Sequence, residues 1–232
     1  MVPTVTRRAW LAVAALLLGA GPCLGQLAPG PEEVERYGGL HRAAALGDAV
    51  EVTRLLAQGA DPEARDANGR TPLHVAVHGS HAEAVRALVR GGARVNALDA
   101  QRYDVVTIAA VKNDLAMLRL ALALGASPRN VTSPYDGTAL IAAAHLGHVD
   151  VVRELIAAGA PLDHVNNLGW TAVMEAVVLG DGGRRHVATL RALVEAGADA
   201  GIPDRQGRTA LAHARTRGFS EMVSILGSAG RR

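Results

Sequence analysis

A glycine–alanine pair recurs along this chain on a nearly fixed beat: Gly59-Ala60, Gly92-Ala93, Gly125-Ala126, Gly159-Ala160 and Gly197-Ala198. The steps are 33, 33, 34 and 38 residues, and a further 33 reaches Gly230. An apolar residue opens each period in phase: Leu40, Leu73, Val106, Leu140, Val173 and Leu211. The stretch 137–166 shows what one period encodes. Residues 139–145 read as a helix of small side chains broken by Gly147, and 149–158 as a second helix with Val149, Val152, Leu155 and Ile156 in one stripe. Gly159 stops that helix, since glycine enters the left-handed cap conformation without a Cβ penalty. So small a helix pair cannot bury its stripe alone, so the period predicts an all-α solenoid of about six stacked helix-turn-helix units joined by short hairpin loops. Aromatic residues at only 3% suit thin helices packed through small side chains.

Arg70-Thr71-Pro72-Leu73-His74-Val75-Ala76 carries the T-P-L-H-x-A signature, and LLAQGADPEARDANG supplies the helix and hairpin that accompany it. On these residues the chain resembles the ankyrin-repeat family over 40–230. The stretch SPYDGTALIAAAHLGHVDVVRELIAAGAPLDHVNNLGWTA is further similar to exported bacterial ankyrin-repeat proteins. The resemblance implies a non-enzymatic module that binds another protein through its hairpin tips and the exposed side of its first helices, which line a concave face.

The first 25 residues read as a cleavable export signal. Arg7 and Arg8 precede an apolar run of about a dozen residues, shorter than the roughly 20 a spanning helix needs. Small residues place the cut after Gly25, and Pro22 before Cys23 disfavours lipid attachment. Thr6-Arg7-Arg8-Ala9-Trp10-Leu11 also resembles a twin-arginine signal, so both export routes stay open. The expected product is periplasmic or secreted, without a stable membrane anchor. Of 24 basic residues against 22 acids, Arg7 and Arg8 belong to the leader, which has no acid, so the remainder balances at 22 each. The charge therefore gives no nucleic-acid footprint, and with Cys23 removed no thiol chemistry remains.

Residues 26–39 read as a linker with a turn of helix at 32–37, and 40–232 as the array. Arg42, Asp48 and Glu51 suit the solvated face of an end unit. In the third unit Arg102-Tyr103-Asp104-Val105 replaces the family's Gly-x-Thr-Pro. Asp104 is then expected as helix N-cap, Asn113 as a left-handed helix end, and the hairpin near Arg102 as distorted. The fourth unit gains one residue around 133–137. The fifth gains about five at 180–186, read as a loop before a second helix at 188–196.

No phosphate loop or G-x-S-x-G elbow is present, and no cofactor is expected. His78-x-x-His81 and His145-x-x-His148 lack a third ligand and read as turn and surface histidines, while His41 and His74 are expected to bond hairpins. Three of the few aromatics, Tyr103, Tyr135 and Trp170, fall in or beside hairpins, where a side chain has no core to fill. Such residues are enriched in binding hot spots. Arg70, Tyr103, Trp170 and Arg208 share one phase, with Gly137 taking it in the fourth unit. Lys112, His145, Leu146, Val178 and Leu179 add inner helix positions. The expected partner-binding set is Arg70, Tyr103, Lys112, Tyr135, His145, Trp170, Leu179 and Arg208. The alternative for Trp170 and Tyr135 is packing over neighbouring hairpins. Two other functions were open to this sequence: a secreted effector binding host proteins, and a small enzyme using Lys112, His145 and Glu175.

Overall fold

The computed structural model describes residues 28–229. The expected signal at 1–25, the linker residues Gln26 and Leu27, and the terminal 230–232 lie outside the described residues. Among those described there are thirteen helices and no strand beyond an isolated bridge between Thr132 and Gly137. Helix α1 (Pro31–Arg36) precedes six pairs. These are α2 (Gly39–Leu46) with α3 (Ala49–Ala57), α4 (Pro72–His78) with α5 (Ala82–Arg90), and α6 (Val105–Val111) with α7 (Leu115–Ala123). Then follow α8 (Ala139–Leu146) with α9 (Val149–Ala157), α10 (Ala172–Val178) with α11 (Arg184–Glu195), and α12 (Ala210–Thr216) with α13 (Ser220–Ala229). First helices stack on first helices along the chain, and each packs against its own second helix. The core is the seam between the two layers.

The recurring Gly-Ala pair has a clear structural cause. Gly59, Gly92, Gly125, Gly159 and Gly197 all take φ between 83 and 94°. The following alanine N–H then reaches back to the carbonyls of Leu55, Leu88, Ala121, Leu155 and Leu193 at 2.9 to 3.1 Å. That bond satisfies a carbonyl the helix end would leave open. In the second to fifth units the alanine is buried with the residue it bonds, so it is an apolar lid as well as a stop.

The hairpins repeat one turn. Asp66, Asp99, Asn166 and Asp204 each accept, through Oδ1, the N–H groups two and four residues on. The third residue after each is left-handed: Gly69, Arg102, Gly169 and Gly207, with φ of 68, 65, 86 and 74°. The expected distortion at Arg102 is therefore absent. Arg102 accepts the conformation glycine holds elsewhere, because the same turn bonds hold it and its guanidinium pairs with Asp136 at 2.9 Å. In the fourth unit Ser133 Oγ replaces the carboxylate, accepting from the N–H groups of Tyr135 and Gly137 at 3.2 and 3.3 Å, and Asp136 takes φ 51°. Asp104 caps α6 by accepting from Thr107 N at 2.8 Å, and Asn113 is left-handed at φ 56°, both as expected.

The fifth unit differs from expectation. Its insertion is not only loop: α11 begins at Arg184 and runs 12 residues, against 9 in α9. Gly183 is the N-cap, and His186 in the added turn meets the carbonyl of His145 at 2.9 Å. That contact anchors the extra turn to the preceding unit.

Candidate interaction face

The turn-ending phase, Arg70, Tyr103, Trp170 and Arg208, is not uniformly open. Arg70 is 1% exposed and Tyr103 6%. Neither presents a surface to a partner, contrary to the sequence expectation. Arg70 pairs with Asp66 at 2.7 Å and with Glu33 of α1, and its Nη2 donates to Tyr37 Oη at 3.0 Å. Tyr37 in turn donates to Asp66 Oδ2 at 2.6 Å, and its burial, reinforced by that bond, pushes the phenol's pKa upward. Helix α1 thus closes over the first hairpin, which sequence phase alone could not show. Tyr103 belongs to the core. Further along, Trp170 and Arg208 are each partly exposed, Trp170 against the core and Arg208 donating to Thr216 Oγ1 at 3.2 Å.

Tyr135 is 49% exposed. Leu168, at the same turn position one unit on, is 37% exposed, and as an aliphatic residue it carries no sequence signal that separates it from the core leucines. The two tips are tied together: Asn167 donates its backbone N–H to Tyr135 O at 2.9 Å and its Nδ2 to Pro134 O at 3.1 Å. The tips are therefore held before anything binds.

Lys112, the chain's one lysine, is turned toward the second unit. Its Nζ donates to Ser80 Oγ at 2.9 Å and to the carbonyls of Val77 and His78. Burial holds its ammonium below the usual lysine range. The same bond recurs at every interface between units. His81 meets Ala45 O at 3.0 Å, His148 meets Ala110 O at 2.9 Å, His186 meets His145 O at 2.9 Å, and Arg217 donates to Val177 O at 2.9 Å. Each second-helix approach thus caps the carbonyl end of the preceding unit's first helix. His81 and His148 are interface donors, and among the described residues no group of three metal-binding side chains occurs. His41 and His74 bond hairpin carbonyls as expected, His41 that of Arg70 and His74 those of Ala97 and Tyr103.

His145 and Glu175 are brought together, Nδ1 to Oε2 at 3.3 Å, without hydrogen-bond geometry. Glu175 is 4% exposed and its Oε1 accepts from Asn166 Nδ2 at 2.9 Å. Lys112 does not join them, because its ammonium is committed to the second unit. Leu179 ends α10 and is partly exposed beside Val178. Hollows of about 150 and 470 Å³ lie among 191–229, away from all three groups.

Comparison with known proteins agrees with this architecture. The family description "Ankyrin repeats (3 copies)" matches residues 40–132 and 106–204. The ankyrin repeat protein YahD of Escherichia coli strain K12 is 35% identical, over 81% of this chain and 94% of its own. The crystal structure of an ankyrin repeat domain from Acinetobacter baumannii AYE is 43% identical, with a TM-score of 0.78 over 82% of this chain and 97% of that one. The ankyrin repeat domain of Bcl-3, of the IkappaB family, gives 28% and 0.74 over 84% of this chain and 87% of that one. Arrays of this kind are protein–protein interaction modules. The chain belongs to the ankyrin-repeat family.

Proposed function

We propose that this chain is an exported, non-enzymatic module that holds a periplasmic or secreted protein along the hairpin and first-helix face of units four to six. The observation that carries the reading is the pair of exposed tips, Tyr135 and Leu168, fixed to one another through Asn167 and flanked by the partly exposed Trp170. A surface already rigid spares the ordering cost that a flexible loop meets on binding. Units one and two contribute less, because α1 covers the first hairpin through Glu33 and Tyr37. Export rests on the leader at 1–25, and finding a secreted chain whose N-terminus is Gln26 supports it. The binding role is tested by affinity capture from a periplasmic extract, wild type beside Trp170→Ala and Tyr135→Ala. Loss of a captured protein with an unchanged melting temperature supports the reading. Unchanged capture with a large drop in stability assigns these side chains to packing instead.

A further inference from the structure

The two ends of the array are secured differently. At the far end α13 sends Met222, Ile225 and Leu226 into the core. At the near end α1 buries none of its six residues. Six residues are too few for a helix to persist on its own backbone bonds, so α1 depends on what it touches. Over the first hairpin those contacts are polar. Glu33 pairs with Arg70 and accepts from Asn68 Nδ2 at 3.0 Å. Tyr37, half-buried at the helix end, bonds Asp66 and Arg70 and meets the His41 ring at 5.4 Å.

Lifting α1 away strands no buried group. Arg70 keeps Asp66 Oδ2 at 2.7 Å, and Asp66 Oδ1 keeps the backbone N–H groups of Asn68 and Arg70. Glu33, Asn68 and the Tyr37 hydroxyl return to water, which replaces the hydrogen bonds they lose, so each costs only its small net contribution. The join to the array is free to turn. Gly38 and Gly39 are both exposed, a side chain on either would meet no atom within 4 Å, and Gly39 holds φ 51°. Small residues at such a joint absorb the backbone change of a hinge.

We infer that α1 is a strap that opens on Gly38-Gly39 while the six helix pairs stay folded, and that the first hairpin joins the exposed hairpin edge only when the strap is open. The contact is autoinhibitory. Anything that settles on the Asp66–Arg70 turn must displace Glu33 and Tyr37, and its apparent affinity is reduced in proportion to the fraction of chains that are open. This device is independent of what units four to six hold.

The test places nitroxide spin labels on Glu32→Cys and Ala67→Cys, both exposed positions, in the full chain carrying Cys23→Ser, which has no other thiol. Pulsed electron double resonance then reads the distance from α1 to the hairpin tip. The closed strap gives one short distance. Adding Glu33→Gln with Tyr37→Phe is expected to enlarge a second, longer and broader population by about fivefold or more, with an unchanged melting temperature. Hydrogen exchange in that variant is expected to rise over residues 31–37 and to stay unchanged over 73–77. The inference is overturned by a single short distance that the two substitutions leave as it was. It is equally overturned if they lower the melting temperature as far as the core truncation Leu40→Ala does, or speed exchange in both segments, since α1 would then be part of the array's own fold.

Discussion

Asn166 donates from Nδ2 to Glu175 Oε1 at 2.9 Å, and one unit later the same two positions hold Asp204 and His213, joined at 2.7 Å. The turn needs an acceptor oxygen at the first position, which aspartate and asparagine both supply. The inner helix residue decides between them: a carboxylate at 175 requires an amide donor opposite, and an imidazole at 213 donates to a carboxylate. Asn166→Asp would place two buried carboxylates at bonding distance. We expect a loss of about 1–3 kcal/mol at neutral pH by urea unfolding. The shared site would hold a proton more tightly folded than unfolded, so the loss shrinks on acidification. Glu175→Gln in the Asn166→Asp background restores stability.

Left-handed turn positions are expected to differ by crowding. A Cβ on Gly69 would stand 2.8 Å from Ala100 N at φ 68°, so Gly69→Ala destabilises by about 1–3 kcal/mol. Arg102→Gly removes the strain of a side chain at φ 65° and loses only the exposed pair with Asp136. Its unfolding midpoint stays within about 1 kcal/mol of wild type.

The carbonyl caps between units predict a graded response. Lys112→Met leaves the end of α4 with one donor fewer and costs about 1 kcal/mol. Lys112→Arg retains most of that, since Arg217 makes the equivalent bond to α10. Thermal melting of both variants checks the pair.

Burial holds the imidazoles of His74, His78 and His148 below their ordinary pKa of 6.5, that of His78 at about 3. Unfolding lets them take up protons as pH falls through 6.5, which the folded chain resists. Stability is therefore full above that pH and is lost progressively on acidification toward 3. Urea unfolding across a pH series is expected to show this slope, and His78→Asn to flatten it.

Much of the fold was legible because it is local and repeated. The Gly-Ala beat is a helix-end geometry written into two residues, and Asp104 and Asn113 each do their work within four positions. The binding face was less legible, since exposure is set by what lies across from a residue. Arg70 is covered by Glu33 of the helix before the array and by Tyr37 at its end, and Tyr103 joins the core. Lys112 reads as a groove residue until the stacking turns its ammonium toward α4. Tyr135 stays 49% exposed at its hairpin tip.

The central claim is that a partner lies against the hairpins and first helices of units four to six. Site-specific photo-crosslinking in cells tests it most directly, with a benzoyl-phenylalanine placed singly at 135, 168 and 179 and, on the second helices, at 86 and 153. The account predicts adducts with one protein from the first three positions and none from the other two. Adducts confined to 86 and 153 would contradict it.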